Sequence, residues 1–241
     1  PYKNLELAKF RRNLVLKNLY DNNYLNEEEF KNLSEKDIKL KKRKSVYLEN
    51  SNYYVEDIRK LIVGQYGFDK VYKQGFTINT PLNLILQEKA TQSLRQGLIN
   101  FDKKKGWRGP LLNKKYTSDW MKNLDPYNLE ESIGWKISII KKINRFSAEI
   151  ETQDNIEGII EFSSIDWTKK KFEDLFNVGD VVYVEKIKNS KFNLRQLPKV
   201  NGAIVVMNPY TGRILALSGG FSFKNSEFNR ATQALRQPGT A

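Results

Sequence analysis

A chain of 241 residues with no histidine and no cysteine has a short list of side chains that can move protons or form covalent intermediates. The missing imidazole removes the commonest general base and metal ligand, which excludes Ser-His-Asp and Cys-His mechanisms. The missing thiol excludes disulfides, thiolate nucleophiles and cysteine-based metal sites, and leaves the redox compartment open. Catalysis would have to use lysine, carboxylate or hydroxyl groups, and neither a metal nor a cofactor is expected. Two places remain. Arg11 and Arg12 are adjacent guanidinium groups that could engage an anionic ligand or pair with acidic side chains inside the fold, and the second use is the more ordinary. Thr240 follows Gly239 near the end of the chain, where its plain structural role is the N-cap of a helix.

The elements that would carry these residues can be read from periodicity. From Asn4 to Tyr20 the apolar positions Leu7, Phe10, Leu14 and Val15 or Leu16 recur at helical spacing, and Asn22-Asn23 reads as the stop. Asn26 with Glu29 three residues later forms a capping-box pattern that opens a second helix through Phe30 and Leu33. Lys39 to Lys44 reads as a solvated basic connector. Tyr53 to Tyr66 is predicted helical, with Val55, Ile58, Leu61 and Ile62 as its buried stripe and Gly67 as its C-terminal stop. A strand is expected over Gly75–Asn79. Thr80-Pro81 would then cap a helix whose buried face is Leu82, Leu86, Ala90, Leu94 and Leu98.

After a loop at Gly106–Pro110 the texture becomes β: Trp135–Ile140, Phe146–Thr152, Ile156–Phe162, Val181–Ile187 and Lys191–Leu197. Asp154-Asn155 and Asn189-Ser190 supply turns, and Val178-Gly179-Asp180 turns the chain into the fourth strand. Five short strands in about 65 residues suit a five-stranded OB-like Greek-key barrel, although periodicity does not give the strand order. Trp107, Trp135 and Trp167 are expected to pack rather than stack on a ligand. Ala203–Met207 and Ile214–Leu217 then form a hairpin around Asn208-Pro209-Tyr210-Thr211-Gly212. Two strands need a larger sheet to pack against, and none follows before Ala241, so a chain cut from a longer protein is expected.

The stretch Gly202 to Gly220, followed by Phe228-Asn-Arg-Ala-Thr-Gln-Ala-Leu-Arg-Gln-Pro-Gly239, resembles the start of the transpeptidase domain of class A penicillin-binding proteins. Arg11-Arg12-Asn13-Leu14-Val15-Leu16 resembles the last signature of their glycosyltransferase domain, with Leu19 where the family usually has Met. Tyr53 to Arg59, Gly75 to Leu82 with Leu86-Gln87, and Gly106-Trp-Arg-Gly-Pro110 resemble the linker before the inserted OB-like module. The resemblance spans nearly the whole chain and is weakest across the barrel.

It implies an α+β multidomain chain: C-terminal glycosyltransferase helices over 1–45, linker and first transpeptidase part over 46–110, inserted OB-like domain over 111–200, and the start of a transpeptidase domain over 201–241. It further implies a bifunctional peptidoglycan synthase that polymerises a lipid-linked precursor and crosslinks stem peptides through an acyl-enzyme open to β-lactams. In the family the residue after the glycine matching Gly239 is the acylated Ser, with Lys three residues on. Here Thr240 occupies that position, and the Lys position lies past Ala241. Arg11 and Arg12 would touch anionic lipid-linked substrate or stabilise their domain. The piece itself is expected to be noncatalytic, at the periplasmic side of the inner membrane, with a membrane anchor elsewhere and an envelope protein as a possible partner of the barrel.

The formal net charge of +13, from 41 Lys and Arg against 28 Asp and Glu, suits an anionic partner, but a chain rich in Asn, Lys and Ile throughout scatters its charge, and a solvated, evenly basic surface is the expected reading. A barrel with Val178-Gly-Asp-Val-Val-Tyr-Val184 in so basic a chain also suits single-stranded nucleic acid. That reading requires exposed aromatics beside Lys and Arg on the barrel face and leaves the flanking helices and terminal hairpin unexplained. No nucleic-acid partner is therefore expected. No apolar run approaches the roughly 18 residues of a spanning helix, and Pro1 does not begin a signal peptide.

Overall fold

The computed structural model describes residues 4–38, 49–117, 119–235 and 237. They fall in two compact units, one within 1–47 and one within 48–241. The basic run Lys39–Lys44 lies outside the described residues.

In the first unit, α1 (Leu5–Asp21) starts at Asn4, whose side chain accepts from the Leu7 amide, and stops at Asn22, followed by Asn23 at φ 62°. Helix α2 (Glu27–Glu35) opens with the expected capping box: Asn26 Oδ1 accepts from the Glu29 amide at 2.8 Å, and Glu29 Oε2 accepts from the Asn26 amide at 3.0 Å. Such reciprocal capping satisfies two amides that no helical carbonyl can reach. Tyr20 stacks on Phe30 at 5.3 Å between the two helices. The apolar stripe of α1 is another matter, because Leu7, Phe10, Leu14 and Val15 are all more than two-fifths exposed.

The second unit begins with α3 (Asn52–Tyr66), α4 (Phe68–Lys73) and α5 (Leu84–Lys103). Helix α3 stops at Gly67, φ 83°, as its sequence predicts. Its buried residues are Tyr53 and Tyr54, whereas Val55 and Leu61 are exposed and only Ile58 and Ile62 are half-covered. The stripe is thus rotated from expectation, because the long tyrosines reach the hairpin described below. Gly75–Asn79 is not a strand: no neighbouring strand pairs with it, and α4 precedes it. The cap of α5 is Asn83, whose side chain accepts from the Leu86 amide at 3.1 Å, not Thr80.

The barrel consists of β2 (Trp135–Asn144), β3 (Ser147–Thr152), β4 (Glu157–Glu161), β5 (Asp180–Lys186) and β6 (Lys191–Arg195), with a two-residue strand β1 (Leu112–Asn113) added beside β5. Helices α6 (Phe162–Ile165) and α7 (Phe172–Leu175) lie between β4 and β5. Antiparallel pairings join β2 to β3, β3 to β4, β5 to β2 and β5 to β6, and one parallel pairing, β4 with β6, completes the ring. That is the OB-like closure the strand count suggested. Asn155, Asn189 and Ser190 take the positive φ that tight connections require. Gly179 at φ 92° has no alternative, because a Cβ there would sit 2.2 Å from the Lys114 carbonyl oxygen.

Strands β2 and β5 are apolar on both faces because both are covered. Ile140, Val182 and Val184 point into a barrel core with Ile150, Ile160, Phe172, Phe192 and Leu194. Trp135, Ile137, Ile139, Val181 and Tyr183 face outward onto Trp120, Leu124 and Phe221. Burial of each such side chain stabilises the fold by about 1.5–3 kcal/mol. All three tryptophans pack as expected: Trp135 against Tyr183 and Phe221, Trp107 edge-on to Trp167 and Phe176.

Candidate functional site

Strands β7 (Ile204–Met207) and β8 (Ile214–Ser218) form the terminal hairpin. Its loop is held by Asn208, whose Oδ1 accepts from the amides of Tyr210 and Thr211 at 2.9 and 3.1 Å, with Gly212 at φ 69°. The outer edge of β8 would expose a row of backbone groups. Side chains and α5 satisfy them instead. Tyr54 Oη donates to the Ile214 carbonyl at 3.0 Å, the Asn83 amide donates to the Leu215 carbonyl at 2.9 Å, and Gln87 takes both groups of Leu217. Gln87 Nε2 donates to the Leu217 oxygen at 3.0 Å while its Oε1 accepts from the Leu217 amide at 2.8 Å. A carboxamide thus replaces a neighbouring strand.

Past β8 the chain runs as a strap, residues 219–235, toward position 240. The strap is bonded to the scaffold at several points. Asn229 is buried; its Nδ2 donates to Asp57 of α3 at 2.9 Å and its Oδ1 accepts from the Ala231 amide at 3.0 Å. Gly219 lies so close beneath it that a Cβ would be 2.1 Å from Asn229 Oδ1 and 2.8 Å from its Cα. Tyr53 Oη donates to the Ser226 carbonyl at 2.6 Å and also lies 3.1 Å from the Ser222 carbonyl oxygen. Burial pushes the Tyr53 phenol up to about 12, with Arg230 opposing and Glu130 reinforcing the shift. Glu130 accepts from Ser222 Oγ at 2.6 Å and from the Lys224 amide at 2.9 Å, and Arg95 Nε donates to the Phe221 carbonyl at 3.0 Å.

A second polar cluster fixes the barrel to α5. Asp102, 3% exposed, accepts from Arg108 Nη1 at 2.9 Å, Gln196 Nε2 at 2.8 Å and the Lys199 amide at 3.1 Å. Arg108 Nη2 donates to the Leu197 carbonyl at 2.7 Å, so the strand exit from the barrel is tied to the end of the helix that holds the hairpin. Between barrel and strap lies an open cleft of about 580 Å³, bordered by Trp107, Arg108, Arg195, Lys199, Ser226 and Arg230.

The residues singled out from sequence fare differently. Arg12 is a structural cation: its Nη2 donates to the Ser34 carbonyl at 2.8 Å, its Nη1 to the Lys36 carbonyl and its Nε to Asn13 Oδ1, which covers carbonyls at the end of α2. Arg11 is exposed and has no hydrogen-bond or ion-pair partner among the described residues. Thr240 and Gly239 lie outside the described residues. Sequence reasoning missed Gln87, Asp102 and Asn229 as positioning residues. Gln87 left a trace, a carboxamide next to Leu86 and one turn before Ala90 on an otherwise apolar face.

A closed five-stranded OB-like barrel with helices around it defines a mixed α+β protein of the OB-like class. Residues 107–200 match the family described as "Penicillin-binding protein OB-like domain". Over its whole length the chain is a relative of class A penicillin-binding proteins. It is 35% identical over 245 residues to Penicillin-binding protein 1A of Rickettsia prowazekii and 28% identical over 257 residues to Penicillin-binding protein 1A of Escherichia coli. All of this chain aligns in both cases, against 31% and 30% of those proteins, so it spans about a third of the curated relatives it matches. The crystal structure of Penicillin-Binding Protein 1A from Haemophilus influenzae superposes with a TM-score of 0.74 at 28% identity, covering 98% of this chain and 35% of that one.

Proposed function

We propose that the chain is the noncatalytic middle of a bifunctional peptidoglycan synthase, carrying its OB-like module and delivering the chain to the transpeptidase nucleophile position. Residues 1–45 would end the glycosyltransferase domain, 46–110 form the linker and first transpeptidase part, 111–200 the OB-like domain and 201–241 the transpeptidase start. The observation that carries this reading is the bonding of strap 219–235 to α3, β8 and the Glu130 loop, which holds in place the residues that precede the resemblance to the acylated position, here Thr240. Around that position the intact protein would crosslink stem peptides and be acylated by β-lactams. Its other half would polymerise a lipid-linked precursor at the periplasmic side of the inner membrane.

Thr240 would need the family's Lys three residues beyond it. A helical i, i+3 pair places the amine beside the hydroxyl it activates. The deciding experiment is covalent labelling by a fluorescent penicillin of a protein that continues past Ala241 through the rest of its domain. Labelling that is lost in Thr240→Ala is expected; a folded, extended protein that takes no label overturns the reading. Arg11 is the better placed of the two arginines to meet an anionic substrate, since Arg12 is committed to carbonyls of its own helix pair. On the barrel, Lys136, Lys141, Lys142 and Lys191 are paired with carboxylates, and Trp135 and Tyr183 are buried. These strand faces thus offer few of the free cations and open aromatic faces that a nucleic-acid groove uses, and docking of an envelope protein is the reading proposed for them.

A further inference from the structure

Two lysine triplets stand 63 residues apart in the sequence, Lys103-Lys104-Lys105 and Lys169-Lys170-Lys171. The first is the end of α5 and the turn beyond it; the second lies between α6 and α7, where Lys169 is held at φ 56°. The fold brings the first triplet and Lys169 of the second to one place. Lys103, Lys104, Lys105 and Lys169 rim a pocket of about 460 Å³, with Gly106, Trp167 and Thr168 completing its wall.

None of the six lysines forms an ion pair with a carboxylate among the described residues, while four lysines on the barrel strands do. The four lysines at the pocket rim therefore carry charge that no direct ion pair offsets. Lys103 is half-buried, with its Nζ 5.5 Å from the centre of the Trp167 ring. Burial lowers its pKa, the neighbouring Arg195 lowers it further, and Glu185 partly offsets both. A partly desolvated ammonium whose close contact is an aromatic face is destabilised relative to one with an anion. Like charges gathered at one rim repel, and a compact multivalent anion relieves that repulsion at several ammonium groups at once.

We propose that this pocket binds a phosphate-bearing anion of pyrophosphate size, which enters between the two lysine triplets and is gripped by Lys103 against Trp167. The proposal concerns the barrel's own chemistry and stands whether or not Thr240 is a nucleophile. Phosphate could come from a soluble diphosphate or from a lipid headgroup, and the two sources are separable by experiment.

Calorimetric titration of the 241-residue chain with inorganic pyrophosphate is expected to show saturable, salt-sensitive binding. It should weaken by about tenfold or more when the exposed Lys104, Lys105 and Lys169 are all changed to Gln, because charge-assisted contacts to the anion are lost. The exposed pair Lys70 and Lys73 of α4, changed to Gln, removes charge away from the pocket and should leave binding intact. Because the triple variant removes no buried group, its circular dichroism should match the parent. NMR titration of the Lys103 ammonium should show its pKa rising when pyrophosphate is added. Co-sedimentation with phosphatidylglycerol vesicles that pyrophosphate competes away assigns the site to a lipid phosphate; pyrophosphate binding with no co-sedimentation assigns it to a soluble one. No saturable binding, equal weakening by the α4 control, or tighter lysine-dependent binding of a thymidine oligonucleotide overturns the proposal.

Discussion

Gln87 of α5 and Leu217 of β8 exchange two hydrogen bonds, 3.0 and 2.8 Å long, in which a side-chain carboxamide meets both backbone groups of a strand residue. Both partners are almost fully buried, and Gln87 Nε2 also donates to the Asn50 carbonyl at 2.8 Å. This one side chain closes a sheet edge and joins three segments.

Replacing it leaves the Leu217 amide and carbonyl without partners in a site closed to water. Gln87→Met is expected to destabilise the larger unit by about 2–4 kcal/mol, since each orphaned buried group costs roughly 1–3 kcal/mol. Urea denaturation of parent and variant measures the difference. A change below 1 kcal/mol would mean that β8 finds other partners.

Gly219→Ala tests the strap. The added methyl would meet the Asn229 backbone as well as its side chain, so no rotamer change makes room. The expected loss is about 1–3 kcal/mol, with faster hydrogen exchange over 221–235 than in the barrel. Uniform exchange across both regions would contradict a locally anchored strap.

Alkaline stability should depend on two phenols. Burial raises both Tyr53 and Tyr183 to about 12, and Tyr183 Oη donates to the Tyr127 carbonyl at 2.6 Å. An acid whose folded pKa exceeds its unfolded value near 10 holds its proton longer in the native state. Its stabilising contribution is complete below pH 10 and disappears as pH rises toward 12. Tyr53→Phe should therefore be less stable at pH 7 by about 1 kcal/mol from its lost hydrogen bonding, yet decline less steeply between pH 10 and 12. Thermal melts across that range check the slope.

The two arginines of α1 should separate cleanly. Arg12→Ala removes a guanidinium that bonds two carbonyls across the helix pair and Asn13 beside it, and increased hydrogen exchange over 5–35 is expected, with about 1 kcal/mol of local stability lost. Arg11→Ala should leave exchange unchanged. Equal effects would mean that the bonds of Arg12 add nothing.

Much of the fold was legible in the chain because it rests on local chemistry. The capping box Asn26–Glu29, the stop at Gly67, the turns at Asn155, Asn189 and Gly212 and the five barrel strands each depend on residues a few positions apart, whose hydrogen bonds and φ preferences act in any context. The family resemblance was likewise carried by short contiguous motifs. Tertiary structure decided which faces were covered. Tyr53 and Tyr54 displaced Val55 and Leu61 because the strap and the hairpin offer carbonyls only a phenol can reach, and Gly75–Asn79, extended in pattern, found no strand to pair with. The parallel pairing of β4 with β6, the Gln87–Leu217 exchange and the meeting of two lysine triplets all join residues from about 30 to 130 positions apart. No periodicity in one segment specifies which remote segment will complete its hydrogen bonds or neutralise its charge, so those features exist only once the chain has closed on itself.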